Sequence, residues 1–86
     1  MDAGIALKEF LEFVIGSLVR NREFAAVVHE VHGGRHVYRL RLAPEDMGRI
    51  IGRNGFTVSA IRSLLDAAAR RHHIKVSLRI DEDAKP

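Results

Sequence analysis

Along the first part of the chain, apolar side chains fall at Leu7, Phe10, Leu11, Val14, Ile15 and Leu18, the three- and four-residue spacing that lines one face of a helix. The spacing predicts a helix from Asp2 to Val19, with Asp2 as its N-cap and Asn21 after Arg20 as its stop. Phe13 lies outside the stripe, either at the margin of the packed face or on a surface used by another chain. Two β-prone runs follow, Phe24 to Val31 and His36 to Leu42, and the Gly33-Gly34 pair between them suits a tight hairpin. In the second run Tyr38, Leu40 and Leu42 share a face expected to be buried, while Val37, Arg39 and Arg41 share one expected to meet water.

The pattern then returns to helix. Pro44 to Ile51 reads as a short one, with Pro44 at the first helical position, Glu45 and Asp46 at the positive end of the dipole, and Gly52 as the stop. Val58, Ile61, Leu64, Leu65 and Ala68 recur at helical spacing, predicting a second helix from near Phe56 to near Arg71. Ile74, Val76, Leu78 and Ile80 alternate again and make a third strand. The order is αββααβ, an α+β fold in which a three-stranded sheet carries its helices on one buried face. The folded unit is expected over residues 1–80, followed by a disordered acidic tail over 81–86.

Composition narrows the function classes. A chain of 86 residues is one small domain's worth and buries only roughly 60–65% of its unfolded surface. Without cysteine it has no disulfide framework and no thiolate metal site, which fits a reducing cytosol. Asp2 in place of a basic leader, and Lys8, Glu9 and Glu12 within the first apolar run, exclude a signal peptide or membrane span, so a soluble cytoplasmic protein is expected. The net charge is only +3, but residues 49–79 hold seven cations against Asp66 alone, while residues 1–48 hold six against seven acids. A basic half of this kind suits a polyanionic partner, although solvated surfaces also produce it.

The chemistry concentrates at the elbow Gly52-Arg53-Asn54-Gly55 between the two later helices. Glycines without Cβ let a ligand's backbone approach the main chain closely. Unpaired amides opening the following helix, with its dipole behind them, favour a phosphate. Arg53 and Asn54 add a cation and a neutral donor, and Arg49 and Arg62 flank the turn.

Ile51-Gly52-Arg53-Asn54-Gly55-Phe56-Thr57-Val58-Ser59-Ala60-Ile61 resembles the Ile-Gly-x-x-Gly-x-x-Ile-x-x-Ile signature of KH domains, whose Gly-x-x-Gly loop clamps about four single-stranded nucleotides. From Ala43 to Arg62 the chain is similar to the small bacterial single-KH proteins of the KhpA family. The resemblance implies a type II KH fold and a non-catalytic RNA chaperone that self-associates, with a KhpB-type KH partner in cell-shape and division control. It implies RNA contact at Arg49, Ile51, Gly52, Arg53, Asn54, Gly55, Phe56, Val58 and Arg62, with Ile51 and Val58 flooring a groove; the same aliphatic side chains also read as core, Ile61 above all. Phe56 departs from the family pattern, which often has Lys or Arg there.

Other chemistries are weaker. The five histidines do not converge in sequence: His72 and His73 are adjacent, and the others lie on strands or in the hairpin, so neither a metal nor a cofactor is expected. Ser17, Ser59, Ser63 and Ser77 lack a neighbouring base or strained elbow, so no catalysis is expected. Among aromatic residues Phe10, Phe13 and Phe24 read as structural, leaving Phe56 and Tyr38 near any ligand. The competing readings are a protein-interaction module and a helix-turn-helix DNA reader built on residues 44–70.

Overall fold

The computed structural model describes residues 2–81, so of the tail expected over 81–86 only Asp81 is within the described residues. Helix α1 runs Ala3–Leu18, and the Asp2 carboxylate accepts the Gly4 amide at 2.7 Å as the capping reading requires. Leu7, Leu11 and Ile15 are buried in its core-facing stripe, with Phe10 and Val14 half-buried beside them. Leu18 is 38% exposed, and Val19, extended just beyond the helix, takes its place in the core at 8%. The chain stops being helical at Val19, before Asn21 is reached.

Strand β1 spans Ala26–His32 and β2 spans Arg35–Arg41. Phe24 is not in the strand. It closes a 3-10 turn, Arg22–Phe24, in which the Phe24 and Ala25 amides donate to Asn21 and Arg22 carbonyls, and its ring is 64% exposed. The hairpin turn consists of Gly33 (φ 57) and Gly34 (φ 80), both left-handed as a primed turn demands. It sets the antiparallel register His32↔Arg35 through Ala26↔Arg41.

Helix α2 spans Pro44–Ile51, α3 spans Phe56–Arg71 and strand β3 spans Lys75–Ile80, lying parallel to β2 with Tyr38 opposite Leu78. The sheet order β1-β2-β3 places β2 in the centre, and the whole is the α+β, αββααβ arrangement of a type II KH fold. Helix α3 ends in a Schellman closure: the Ile74 amide reaches the Ala69 carbonyl, that of His73 reaches Arg70, and His73 takes φ 58.

One side of the sheet presents Val27, Tyr38, Leu40, Val76 and Leu78 to the helices, which meet them with Leu7, Leu11, Ile15, Ile50, Val58, Ile61, Leu65 and Ala69. Leu11, Leu40 and Ile50 are fully buried, each worth about 1.5–3 kcal/mol against exposure. On α3 the buried series is Val58, Ile61, Leu65, Ala69, and Leu64 is 56% exposed. A turn of about 100° per residue carries Leu64 off the face that its neighbour Leu65 occupies.

Tyr38 is also core rather than ligand-facing. Its ring has no exposed surface, stacks on His29, and its hydroxyl donates to the Gly4 carbonyl at 2.8 Å; burial pushes the phenol up to about 12. His29 and His36 share one ring-to-ring hydrogen bond at 2.8 Å beneath the start of α1. A Cβ on Gly4 would lie within 2.8 Å of the His36 ring and 2.9 Å of the His29 ring, so a larger residue there would have to displace the two rings. The open face of the sheet is not uniformly wet: Val37, whose neighbours there include Arg35, Arg39, Glu30 and Ser77, is 7% exposed beneath them.

Candidate nucleic-acid interface

The helix that leads into the elbow, α2, is anchored at its opposite end. Asp46, in the first turn, is 1% exposed and turns its carboxylate inward. It accepts the Arg20 amide at 3.0 Å, the Asn21 amide at 3.0 Å and the Asn21 side-chain amide at 3.1 Å. These donors, the Arg20 amide foremost, hold its carboxyl below the usual carboxylate range. The chain leaving α1 is thereby pinned to the start of α2, and α2 ends, eight residues on, at the elbow.

Gly52 closes α2 by donating to the Gly48 carbonyl at 2.8 Å and then takes φ 77, ψ 172, a region essentially restricted to glycine. A Cβ there would also run into the Thr57 side chain. Asn54 (φ 57, ψ 26) and Gly55 (φ 76, ψ 12) are both left-handed, a conformation Asn tolerates better than most residues. Two reversals within the turn leave Arg53 and Asn54 exposed, and α3 starts at Phe56 with no side chain capping its first amides. The Phe56 amide donates to the Arg53 carbonyl, and beyond it the first turn of a 16-residue helix, with its dipole, shares one corner with exposed Arg53 and Asn54.

The other expected contacts divide. Ile51 is 37% exposed and Phe56 73% exposed at the two ends of the elbow, so both are accessible. Arg49 lies one turn back, its Nε at 3.8 Å from Asp46 and its side chain 44% exposed. Val58, expected in the groove floor, is 7% exposed and packs in the core, as does Ile61 at 4% in keeping with its core reading, because the two begin the series that α3 turns toward the sheet.

A groove does run beside α3, but its far wall is β3. It encloses about 530 Å³ between Arg62, Leu65 and Asp66 on one side and Ser77, Leu78 and Arg79 on the other. Arg62 reaches across it and donates to the Leu78 carbonyl at 3.3 Å. The β3 residues are missed by sequence reasoning, since which edge of the sheet stays open follows from strand order and leaves no local signal. A second concavity of about 510 Å³, lined by Phe24, Leu42, Pro44 and Glu45 among others, lies at the start of α2. An eight-residue helix separates it from the elbow, about 12 Å of rise.

Among the described residues no three metal-ligating side chains cluster, and no helix is long and apolar enough to cross a membrane.

A helix pair joined by a Gly-x-x-Gly elbow, backed by a mixed sheet in this order, defines the class of type II KH domains. The family described as "KhpA/KhpB, KH domain" matches residues 8–80, and the chain belongs to that family. It is 44% identical over 78 residues to the RNA-binding protein KhpA of Chlamydia caviae, covering 90% of this chain and 99% of that protein. Similarity extends to the RNA-binding proteins KhpA of Caldanaerobacter subterraneus (38% over 73 residues; 84% and 96% covered) and Clostridium perfringens (39% over 75 residues; 86% and 99% covered). No solved structure matches the chain.

Proposed function

We propose that the protein is a non-catalytic, cytoplasmic binder of single-stranded RNA, a single KH module acting as an RNA chaperone. The phosphate backbone lies over Gly52-Arg53-Asn54-Gly55 and the bases turn into the groove between α3 and β3. The observation that carries this reading is the elbow itself: uncapped amides at the start of a long helix, with Arg53 and Asn54 exposed beside them. Membership of a family whose relatives bear the name RNA-binding protein supports it. Exposed Phe56 adds a ring on which a base can stack where the family often has a cation.

The family's name joins KhpA with KhpB, and the proposal extends to a KhpB-type KH partner, to cell-shape and division control, and to a homodimer. Self-association draws support from Phe13 on α1 and Leu64 on α3, 75% and 56% exposed. The helix-turn-helix alternative is disfavoured because strands flank the helix pair on both sides and the turn between the helices is a glycine-bounded Gly52-Arg53-Asn54-Gly55 elbow.

The test is a titration of single-stranded RNA and of duplex DNA at several salt concentrations. With two to four phosphates contacted, the RNA slope of log K against log salt is expected between roughly −1.5 and −3, at about 0.7 per phosphate. A slope near zero, or tighter binding of the duplex, contradicts the reading.

A further inference from the structure

The strand register places two pairs of like charges directly across from one another on the open face of the sheet. Arg35 stands opposite Lys75, and Arg39 opposite Arg79. Like charges facing one another across a sheet repel, so neither member of a pair is placed there for the sake of the other. Arg41 extends the same face, giving five cations against Glu30 and Asp81 among the described residues.

The two carboxylates serve only part of this charge. Glu30 accepts from Arg39 at 3.2 Å; Asp81 lies 3.6 Å from Arg39 and 3.3 Å from Arg41. Arg35 reaches over the strand and donates to the Val76 carbonyl at 2.8 Å and Ser77 Oγ at 3.2 Å. Lys75 and Arg79 are exposed and make no ion pair among the described residues.

This face is continuous with the groove. Ser77 and Arg79 belong to it by alternation along β3 and also line the groove beside α3, so β3 is the ridge between the two. The elbow and groove of one KH module hold about four nucleotides, and a longer strand leaving them along β3 meets Arg79, Arg35 and Lys75. We propose that the open sheet face is a second phosphate-binding surface, which receives single-stranded RNA as it crosses the β3 edge out of the groove. The inference rests on the RNA reading above and lengthens its footprint. Contacts there are to phosphate, and so independent of base sequence.

The experiment compares uridine oligomers of four and twelve nucleotides by fluorescence anisotropy, using the full chain and the variant Arg35→Gln/Lys75→Gln. Neither substituted residue lines the groove. Lys75→Gln alone is the companion variant, because it leaves the Arg35 hydrogen bonds in place, and melting curves report the fold of both.

The wild type is expected to bind the twelve-mer more tightly than the number of four-nucleotide registers on it explains. The double variant is expected to lose that surplus, keep its four-mer affinity and show a twelve-mer salt slope shallower by roughly 1.4, for two phosphates at about 0.7 each. Lys75→Gln gives about half that change in slope. Absence of a surplus in the wild type, an unchanged twelve-mer affinity and slope in the variants, or an equal loss for both oligomers overturns the proposal. The RNA reading itself fails by a different result: Arg53→Asp/Asn54→Asp binding the four-mer as the wild type does.

Discussion

The two ends of α2 carry polar groups used in opposite ways. At the N-terminal end the Asp46 carboxylate is buried and takes three hydrogen bonds from Arg20 and Asn21, so its polarity is spent inside the fold. At the C-terminal end the elbow leaves the Arg53 and Asn54 side chains exposed and the first turn of α3 without a side-chain cap, so this polarity faces outward toward a ligand. A satisfied buried group stabilises one conformation; unsatisfied exposed donors in a fixed geometry recognise something else. The comparison assigns stability to one end of an eight-residue helix and binding to the other.

The largest stability effect should come from Asp46→Ala, which orphans the donors of Arg20 and Asn21 and unfastens α2 from α1. Thermal melting is expected to show a lower midpoint than for any other polar substitution in the chain, while RNA affinity of the protein that remains folded stays within about twofold. Lost affinity at full stability would break the comparison.

The glycines sharpen it. Gly52→Ala meets both the φ 77, ψ 172 backbone and the Thr57 side chain, and should cost at least about 2–3 kcal/mol in addition to weakening RNA binding. Gly55→Ala is placed at φ 76 in open space and should cost about 1–2 kcal/mol. Urea unfolding of the two variants checks the order, and an equal cost would mean that the Thr57 contact plays no part.

The smallest effect is in acid. Burial, and then the neighbouring His36, hold the His29 imidazole below its ordinary value, so the unfolded chain binds this proton more readily than the folded one. Its contribution is therefore intact above about pH 6.5 and declines as pH falls from there toward the folded value. The Asp46 contribution, also from a depressed group, persists until pH falls below about 4. Melting midpoints should be level near neutrality and begin to fall below about pH 6.5; in His29→Gln that first decline should vanish. A first decline that persists in this variant would place the titration elsewhere.

Much of this was legible from the chain. The bounds of α2 and α3 and the Gly-Gly hairpin follow from periodicity and turn residues, and the elbow's glycines are read correctly because positive φ leaves few alternatives. What escaped depends on contacts far apart in sequence. Asp46 reads as a helix-dipole residue, and only the return of Arg20 and Asn21, 26 and 25 residues earlier, makes it a buried anchor. Phe24 has strand propensity, but the 3-10 turn over Arg22–Phe24 delays β1 to Ala26. Tyr38 alternates correctly onto the inner face, yet its hydroxyl's partner, the Gly4 carbonyl, belongs to α1. Val58 fits the signature and still packs inward rather than into the groove floor, and the groove beside α3 takes its far wall from β3.

The division of labour along α2 is tested most directly by Arg53→Asp/Asn54→Asp, with RNA binding and thermal melting measured on the same preparation. Both residues are exposed, so two carboxylates at the elbow should leave the melting midpoint within the roughly 0.5 kcal/mol scatter of surface substitutions. The same carboxylates face the position assigned to phosphate and should abolish RNA binding. A folded double variant that binds RNA as the wild type does would show that the elbow is only a turn.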